Sequence, residues 1–192
     1  IYNTAELRET LILQGCQFKG HSDTEVIIEA CEKWGITATC QRLIGMFAFA
    51  LWDKQQKTLF LVRDRLGIKP LYWGFNQGVL FFGSQLKSFV VHPAWKPELD
   101  KDALVSYFRF NYVPTPLSIF KGIYKLAPGT VLSIDLSKKI QETQFWDLQR
   151  VVLEAQQNIT KLSAHELIQE LEKLLKDAVK RRMVAVSYTH LT

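Results

Sequence analysis

Residues 45–52 form a continuous apolar run, GMFAFALW, in which both alternating sets of side chains are apolar. Such a run, rich in aromatic residues, is typical of a β-strand whose two faces are both covered. A strand of this kind requires packed layers above and below its sheet. The sequence therefore predicts a layered structure built around a buried sheet.

Further strands follow along the chain. Residues 58–62 form a second apolar strand after a short polar turn. Residues 76–78, Asn-Gln-Gly, separate two more apolar segments, which is the pattern of a hairpin. Residues 119–146 are predicted to be β again, with a turn at Pro128 and Gly129. Consecutive hairpin turns indicate largely antiparallel pairing, so the predicted class is α+β.

Two capping boxes mark helices, one on each side of these strands. Ser22 with Glu25 begins a helix whose apolar residues share one face, and Gly35 ends it. Ser163 with Glu166 begins another, after polar residues 154–160 that are predicted to be a linker. The second helix carries an apolar stripe made of Leu167, Leu171, Leu174, Leu175, Ala178 and Met183. This stripe has no evident partner in the sequence, so we expect the helix to pack on a further domain.

The composition excludes several classes of protein. With 47% hydrophobic and 22% charged residues among 192, the chain is neither disordered nor fibrous. No apolar run approaches the roughly 18–20 residues that a membrane span needs, so no membrane partner is expected. The net charge of +5 comes from scattered basic residues. We therefore expect no nucleic-acid partner and keep that interpretation only as a weak alternative.

Cysteine and histidine spacing argues against a metal site. The three cysteines contain no C-x-x-C pair, and the four histidines contain no pair four residues apart. No metal ligand is therefore expected in this chain. An odd number of cysteines does not predict a disulfide framework and favours a reducing compartment, so the expected localisation is cytoplasmic.

Several blocks in order resemble one family. They closely resemble the class II glutamine amidotransferase domain of the glutamine-hydrolysing asparagine synthases. The blocks are IYN with ELR in residues 1–8, HSDTEV at 21–26, GMFAFALWD at 45–53, RDRLGIKPLY at 63–72 and GIYKLAPG at 122–129. One block would be a weak signal, whereas several in sequence order are specific.

This resemblance implies an N-terminal-nucleophile hydrolase fold, a four-layer αββα sandwich with largely antiparallel sheets. The chain is expected to be incomplete at its N-terminus and to end in the first helix of a synthetase domain. We assign residues 1–150 to the amidotransferase domain and 151–185 to the linker and leading helix. Residues 186–192 depart from the family pattern and are interpreted as an artefact of assembly or cloning.

The resemblance also implies a chemistry. In the family, an N-terminal cysteine attacks the side-chain amide of glutamine, and its own α-amine is the base. Backbone and Asn groups stabilise the oxyanion. The released ammonia reaches a synthetase domain, where ATP and magnesium activate the carboxylate of aspartate as an adenylate. The implied partners are therefore glutamine, aspartate and ATP, and the family resemblance also allows a homodimer.

Asp23 is the one site residue that the resemblance implies for this chain. It is similar to the family's aspartate that holds the α-ammonium of substrate glutamine. Ionic pairing with this compact cation fixes the orientation of the amino acid, so that its amide reaches the nucleophile. An acidic residue in the first turn of a helix is also favoured by the helix dipole, without any ligand.

The nucleophilic cysteine and an Asn-Gly-Glu element of the family correspond to positions before Ile1. We therefore expect no catalytic residue in this chain and no glutaminase activity from it alone. Cys16, Cys31 and Cys40 do not match the nucleophile, and Cys31 is expected to be a small thiol packed on a buried helix face.

The RDRLG block has a structural interpretation. Gly67 and Pro70 suit a tight turn, and the charges of Arg63, Asp64 and Arg65 are expected to pair with one another. Two other functions stay open. The chain could belong to an amidotransferase that acts on a sugar or on a secondary-metabolite carboxylate, or it could be a non-enzymatic binding module.

Overall fold

The computed structural model describes residues 1–158 and 160–183 and divides the chain into two compact units. One unit contains Ile1–Gly45 with the described residues from Asp147 onward, and the other is Met46–Trp146. The helices are α1 Thr4–Leu13, α2 Asp23–Trp34, α3 Ile36–Arg42, α4 Lys101–Phe110, α5 Leu148–Gln157 and α6 Ala164–Met183, with a 3-10 turn at Leu86–Phe89. The strands are β1 Ala48–Asp53, β2 Thr58–Arg63, β3 Tyr72–Asn76, β4 Val79–Gly83, β5 Ile123–Lys125, β6 Thr130–Asp135 and β7 Ile140–Gln144.

The unit 46–146 contains two antiparallel sheets. Their strand orders are β1-β2-β6-β7 and β4-β3-β5, and every pairing within them is antiparallel. Apolar side chains from both sheets form one buried cluster: Leu61, Leu71, Trp73, Leu126, Leu132 and Ile134. The two sheets therefore pack face to face around a shared core, and the predicted antiparallel α+β class is confirmed.

The hairpin predicted at residues 76–78 joins β3 to β4. Gln77 and Gly78 have φ of 50° and 75°. Positive φ at both central residues is the geometry of a two-residue hairpin turn whose twist matches that of the strands. At Gly74 in β3 a side chain is excluded by space, since a Cβ there would collide with the main-chain oxygen of Gly122. Close approach of two main-chain segments thus requires glycine at this position.

Only residues 48–52 of the run at 45–52 lie in a strand, β1, and the expectation that both faces of this strand are covered is wrong. The strand β1 lies at the edge of its sheet, and Trp52 is 48% exposed. An edge strand has only one neighbour, so its apolar side chains are less enclosed. Double-sided burial belongs instead to the next strand, β2, where the adjacent residues Leu61 and Val62 point to opposite faces and are both fully buried.

In the unit that contains Ile1–Gly45, three helices follow one another. The predicted helix from Ser22 to Gly35 is α2, which buries Val26 and Ala30 and ends at Gly35 with φ of 79°. The preceding α1 and the following α3 have no counterpart in the sequence prediction. The Asn3 side chain before α1 makes no capping hydrogen bond, and α3 is only seven residues long, so neither helix carries a clear local signal.

The second part of that unit begins with a helix where a linker was predicted. Residues 154–160 were expected to form a linker, but α5 extends to Gln157 and is capped by Asp147, which accepts a 2.8 Å hydrogen bond from Gln149 N. Residue 159 lies outside the described residues. The capping box of Ser163 and Glu166 is confirmed, since each residue's side chain accepts from the other's main-chain N–H.

The apolar stripe of α6 lies open to solvent in this structure. Its leucines are exposed by between 42% and 59%. The expectation that this face packs on a further domain stays a prediction, as do the boundaries at residues 150 and 185. The tail at 186–192 lies outside the described residues.

Candidate functional site

Asp23 is the first residue of α2, and its side chain is about half exposed, at 50%. Ser22 caps the helix by accepting a 3.3 Å hydrogen bond from the main-chain N–H of Glu25. The first half of the predicted capping box is thereby confirmed. Because the cap satisfies a helix N–H without using Asp23, the carboxylate of Asp23 projects from the helix start and is open to a cationic ligand.

Oδ2 of Asp23 lies 3.3 Å from the main-chain nitrogen of Ile1. The carboxylate stays half exposed beside this contact, so a cationic group can still reach it.

The segment of Ile1 to Asn3 is held against the chain just after α3. The Tyr2 N–H donates to the main-chain oxygen of Ile44 at 2.7 Å. The Asn3 side chain accepts from Ile44 N at 2.9 Å and donates to Arg42 O at 3.0 Å. Asn3 is 5% exposed, so these bonds satisfy a buried amide.

Gly45 also lies against the first residues of the chain. Its φ is +157°, and a Cβ on it would lie 3.0 Å from Cα of Ile1. Only glycine fits this close approach without displacing the first residues of the chain. Ile1, Asp23 and Gly45 belong to three separate blocks of the sequence pattern, and the fold brings all three together.

A network of hydrogen bonds holds the loop that precedes Asp23 and α2. The Glu25 carboxylate does not return to Ser22, as a complete capping box would require. It accepts instead from the main-chain N–H groups of Lys19 at 2.7 Å and Gly20 at 2.9 Å. These two hydrogen bonds are the main reason that the pKa of Glu25 is lowered from its ordinary value.

The Arg8 side chain, on α1, reaches the same loop. Its Nη2 donates to the main-chain oxygen of Gly20 at 2.8 Å and lies 3.7 Å from Oε2 of Glu25. Its guanidinium carbon lies 4.2 Å from the centre of the Phe18 ring, in a cation–π contact. This network was not predicted from the sequence, although the glutamate three residues after Ser22 indicates a carboxylate that binds main-chain N–H groups nearby.

The cysteines occupy sheltered positions. Cys40 is fully buried and Cys16 is partly exposed. Cys31 is partly buried on α2, and burial raises its pKa to about 11, opposed in part by a side-chain hydrogen bond with Thr39. A thiol with so high a pKa is almost entirely neutral at neutral pH and is a poor nucleophile.

In the other unit, the RDRLG block organises a loop. Asp64 is 1% exposed and accepts hydrogen bonds from the main-chain N–H groups of Ile68 and Lys69, each at 2.9 Å. Further N–H groups reach the same carboxylate from Leu66 and Phe47. Four donors satisfy the carboxylate, so its burial is accounted for.

Arg63 binds main-chain oxygens of the same region. Its guanidinium donates to Leu126 O at 2.6 Å, Gly67 O at 2.7 Å and Lys69 O at 2.9 Å. Burial lowers the pKa of Arg63 from its ordinary value. The structural interpretation of this block agrees with these contacts. Arg63 and Asp64 both hydrogen-bond to the main chain, and the charge of Asp64 opposes the lowering of the pKa of Arg63.

A polar cleft of about 300 Å³ lies on the outer face of the four-stranded sheet. Its charged lining groups are Asp135 and Lys139, and Asp135 already accepts from Ser137 Oγ at 2.6 Å and from Lys139 N at 3.0 Å. These bonds belong to the β6–β7 turn itself, and they lower the pKa of Asp135. The Asp135 carboxylate is therefore already bound within its own turn.

Among residues 1–158 and 160–183, no group of three or more His, Cys, Asp or Glu side chains could hold a metal ion. None of the helices in that part of the chain is long and apolar enough to cross a membrane.

The sequence of residues 1–146 matches the family described as the glutamine amidotransferase domain. The chain belongs to this family. The match includes the blocks around Asp23, Gly45 and Asp64, and it ends at Trp146, which is also the last residue of the two-sheet unit.

The sequence is similar to curated asparagine synthetases. The chain is 32% identical to glutamine-hydrolyzing asparagine synthetase 3 of Bacillus subtilis and 37% identical to glutamine-hydrolyzing asparagine synthetase 2 of the same bacterium. The alignments cover 96% and 94% of this chain but 29% and 24% of those relatives. The resemblance to the amidotransferase domain of asparagine synthases is thereby confirmed, and the chain spans less than a third of these curated relatives.

A solved structure confirms the fold of the amidotransferase domain. The glutamine phosphoribosylpyrophosphate amidotransferase of B. subtilis, complexed with ADP and GMP, matches with a TM-score of 0.55 at 20% identity. The match covers 76% of this chain and 27% of that chain. The chain therefore has the α+β fold of the N-terminal-nucleophile hydrolases.

Proposed function

We propose that this chain is the glutamine-binding part of a glutamine-dependent asparagine synthase, and that Asp23 holds the α-ammonium of the substrate glutamine. The full enzyme would hydrolyse glutamine to ammonia and use that ammonia to amidate aspartate. The family match and the names of the relatives support the glutamine half of this reaction.

The placement of Asp23 within the matched amidotransferase domain is the observation that carries the proposal. Its carboxylate is half exposed and lies at the start of α2, where it can form a charge-assisted hydrogen bond with an α-ammonium. A charge-assisted bond of this kind contributes about 1.5–3 kcal/mol to binding. Because the bond fixes one end of the amino acid, it also limits the positions that the side-chain amide can take.

The nucleophile is proposed to be a cysteine outside residues 1–192. Cys31 has a raised pKa and Cys40 is buried, so neither thiol suits attack on a bound amide. By the same proposal, the 192-residue chain alone does not hydrolyse glutamine. Binding of aspartate, ATP and magnesium, and assembly into a homodimer, are assigned to the full enzyme. ATP and magnesium would supply the activation of the aspartate carboxylate there.

The test compares two nitrogen sources in the full-length enzyme that contains these residues. Replacing Asp23 with Asn should lower glutamine-dependent asparagine formation by about 10- to 100-fold in kcat/KM, because the α-ammonium loses its ionic partner. Asparagine formation from added ammonium chloride should stay at the wild-type rate, since ammonia bypasses the glutamine site.

Three results would contradict the proposal. An unchanged glutamine-dependent rate would remove the role of Asp23. Amidation of a different carboxylate, with none of aspartate, would assign the chain to an amidotransferase that acts on another acceptor. Binding of glutamine without any ammonia release in the full-length protein would identify a binding module.

A further inference from the structure

We propose that Arg8 and Glu25 are positioning residues that hold Asp23 in the orientation needed to bind the α-ammonium of glutamine. This inference rests on the proposed function of Asp23. Neither side chain touches the ligand in this proposal. Each acts through the loop of residues 18–22, which leads directly into the first residue of α2.

Glu25 holds the loop from the helix side. Its two carboxylate oxygens accept separate hydrogen bonds, Oε1 from Lys19 N and Oε2 from Gly20 N. A carboxylate that uses both oxygens on successive N–H groups fixes the direction of the main chain between them. Gly20 fits closely beside it, since a Cβ there would lie 3.3 Å from Oε2.

Arg8 holds the same loop from α1. It binds the main-chain oxygen of Gly20, so both polar main-chain groups of this glycine are bound by charged side chains. The guanidinium also covers the Phe18 ring and lies near the Glu25 carboxylate. The side chains of Arg8 and Glu25 are only 19% and 23% exposed, and this partial burial strengthens their interactions relative to surface pairs.

The formation of α2 does not depend on this network. Ser22 already caps the helix, and Val26 and Ala30 anchor it by burial. What the network determines is the path of the loop that ends at Asp23, and hence the direction of the Asp23 carboxylate. A charged hydrogen bond weakens steeply with misalignment, so a small change in this path reduces recognition of the ammonium.

The experiment uses two substrates that differ only at the α-position. Glutaramate is glutamine without its α-amino group, so the ratio of kcat/KM for glutamine over glutaramate reports the contact with the ammonium. In the full-length enzyme, Asp23→Asn should lower this ratio by about 10- to 100-fold. Glu25→Gln and Arg8→Lys should each lower it by about 3- to 10-fold and leave kcat/KM for glutaramate near the wild-type value.

A double variant separates positioning from a general loss of structure. If Glu25 acts through Asp23, then Glu25→Gln should have no further effect on the ratio in the Asp23→Asn background. Glu32→Gln is the matched control, because Glu32 is an exposed glutamate on the same helix. If Glu25→Gln does not fold, the ratio of kcat/KM for the two substrates in Arg8→Lys tests the positioning role independently.

The outcomes distinguish the two proposals. If Asp23→Asn lowers the ratio but Glu25→Gln and Arg8→Lys leave it unchanged, or lower kcat/KM for both substrates equally, the positioning role is overturned and the role of Asp23 stands. If Asp23→Asn leaves the ratio unchanged, both proposals are overturned.

Discussion

Oδ2 of Asp64 accepts a 2.9 Å hydrogen bond from the main-chain N–H of Lys69, five residues further along the chain. The same carboxylate binds three other N–H groups while it is 1% exposed. Its removal leaves one buried and three partly buried N–H donors without their acceptor, so Asp64 is a sensitive structural test in the two-sheet unit.

Replacing Asp64 with Ala should lower the free energy of unfolding by about 3 kcal/mol or more, since each unsatisfied buried donor costs about 1–3 kcal/mol. Urea unfolding followed by circular dichroism measures this change. Asp102→Ala is the control, because Asp102 is exposed in the first turn of α4. Equal stability of the two variants would show that the carboxylate does not organise the loop.

Replacing Gly74 with Ala should also be strongly destabilising, by about 3 kcal/mol or more. The added methyl group would collide with the main-chain oxygen of Gly122, and neither main-chain segment can move without breaking the β3–β5 pairing. Gly78→Ala is a matched control in the same sheet, where the nearest atom to a new Cβ is 3.9 Å away. Its positive φ should cost only about 1 kcal/mol. A larger loss for Gly78→Ala than for Gly74→Ala would contradict the close approach.

Acidification should release the loop before α2. Hydrogen bonds from Lys19 and Gly20 lower the pKa of Glu25 below its ordinary value of 4.5. The stabilisation is therefore complete above pH 4.5 and is lost as the pH falls below that value. Amide exchange protection of Lys19 and Gly20, corrected for intrinsic rates, should fall between about pH 6 and about pH 3. In Glu25→Gln, protection should be low at both pH values; a pH-dependent loss of the wild-type size in that variant would assign the effect to another group.

Cys31 should react slowly with thiol reagents. With a pKa raised to about 11, only about one molecule in a thousand carries a thiolate at about pH 8. Alkylation by iodoacetamide, read residue by residue by mass spectrometry, should therefore be slower at Cys31 than at the partly exposed Cys16. In the full-length enzyme, Cys31→Ser should leave glutamine hydrolysis unchanged. A loss of hydrolysis with retained fold would make Cys31 part of the catalytic machinery.

Much of the fold was predictable because the local signals and the tertiary structure agree. The Asn-Gln-Gly turn predicted the β3–β4 hairpin, and the Ser163–Glu166 pair predicted the start of α6. In both cases the chemistry of two or three adjacent residues determines the geometry.

The predictions failed where contacts between distant residues decide the outcome. The exposure of Trp52 depends on the position of β1 at a sheet edge, which the strand's own sequence does not specify. The Asn3 side chain binds residues about 40 positions away, so its role in holding the start of the chain has no local pattern. Arg63 similarly binds Leu126 O across a separation of 63 residues.

The candidate site was predictable only in part. The HSDTEV block singled out Asp23, and the structure places its half-exposed carboxylate at the start of α2. The same block contained Glu25, but its bonds to Lys19 and Gly20 and its neighbour Arg8 required the three-dimensional arrangement of α1 and α2.

The proposed role of Asp23 is an ionic contact with the α-ammonium of glutamine, so the dissociation constant of glutamine tests it directly. Calorimetry on the full-length enzyme, with its nucleophilic cysteine replaced so that glutamine is not hydrolysed, gives this constant for wild-type Asp23, for Asp23→Ala and for the control Glu32→Ala. Binding should be weaker by about 10- to 100-fold in Asp23→Ala and unchanged in Glu32→Ala. Equal dissociation constants for Asp23→Ala and the wild type would contradict this role.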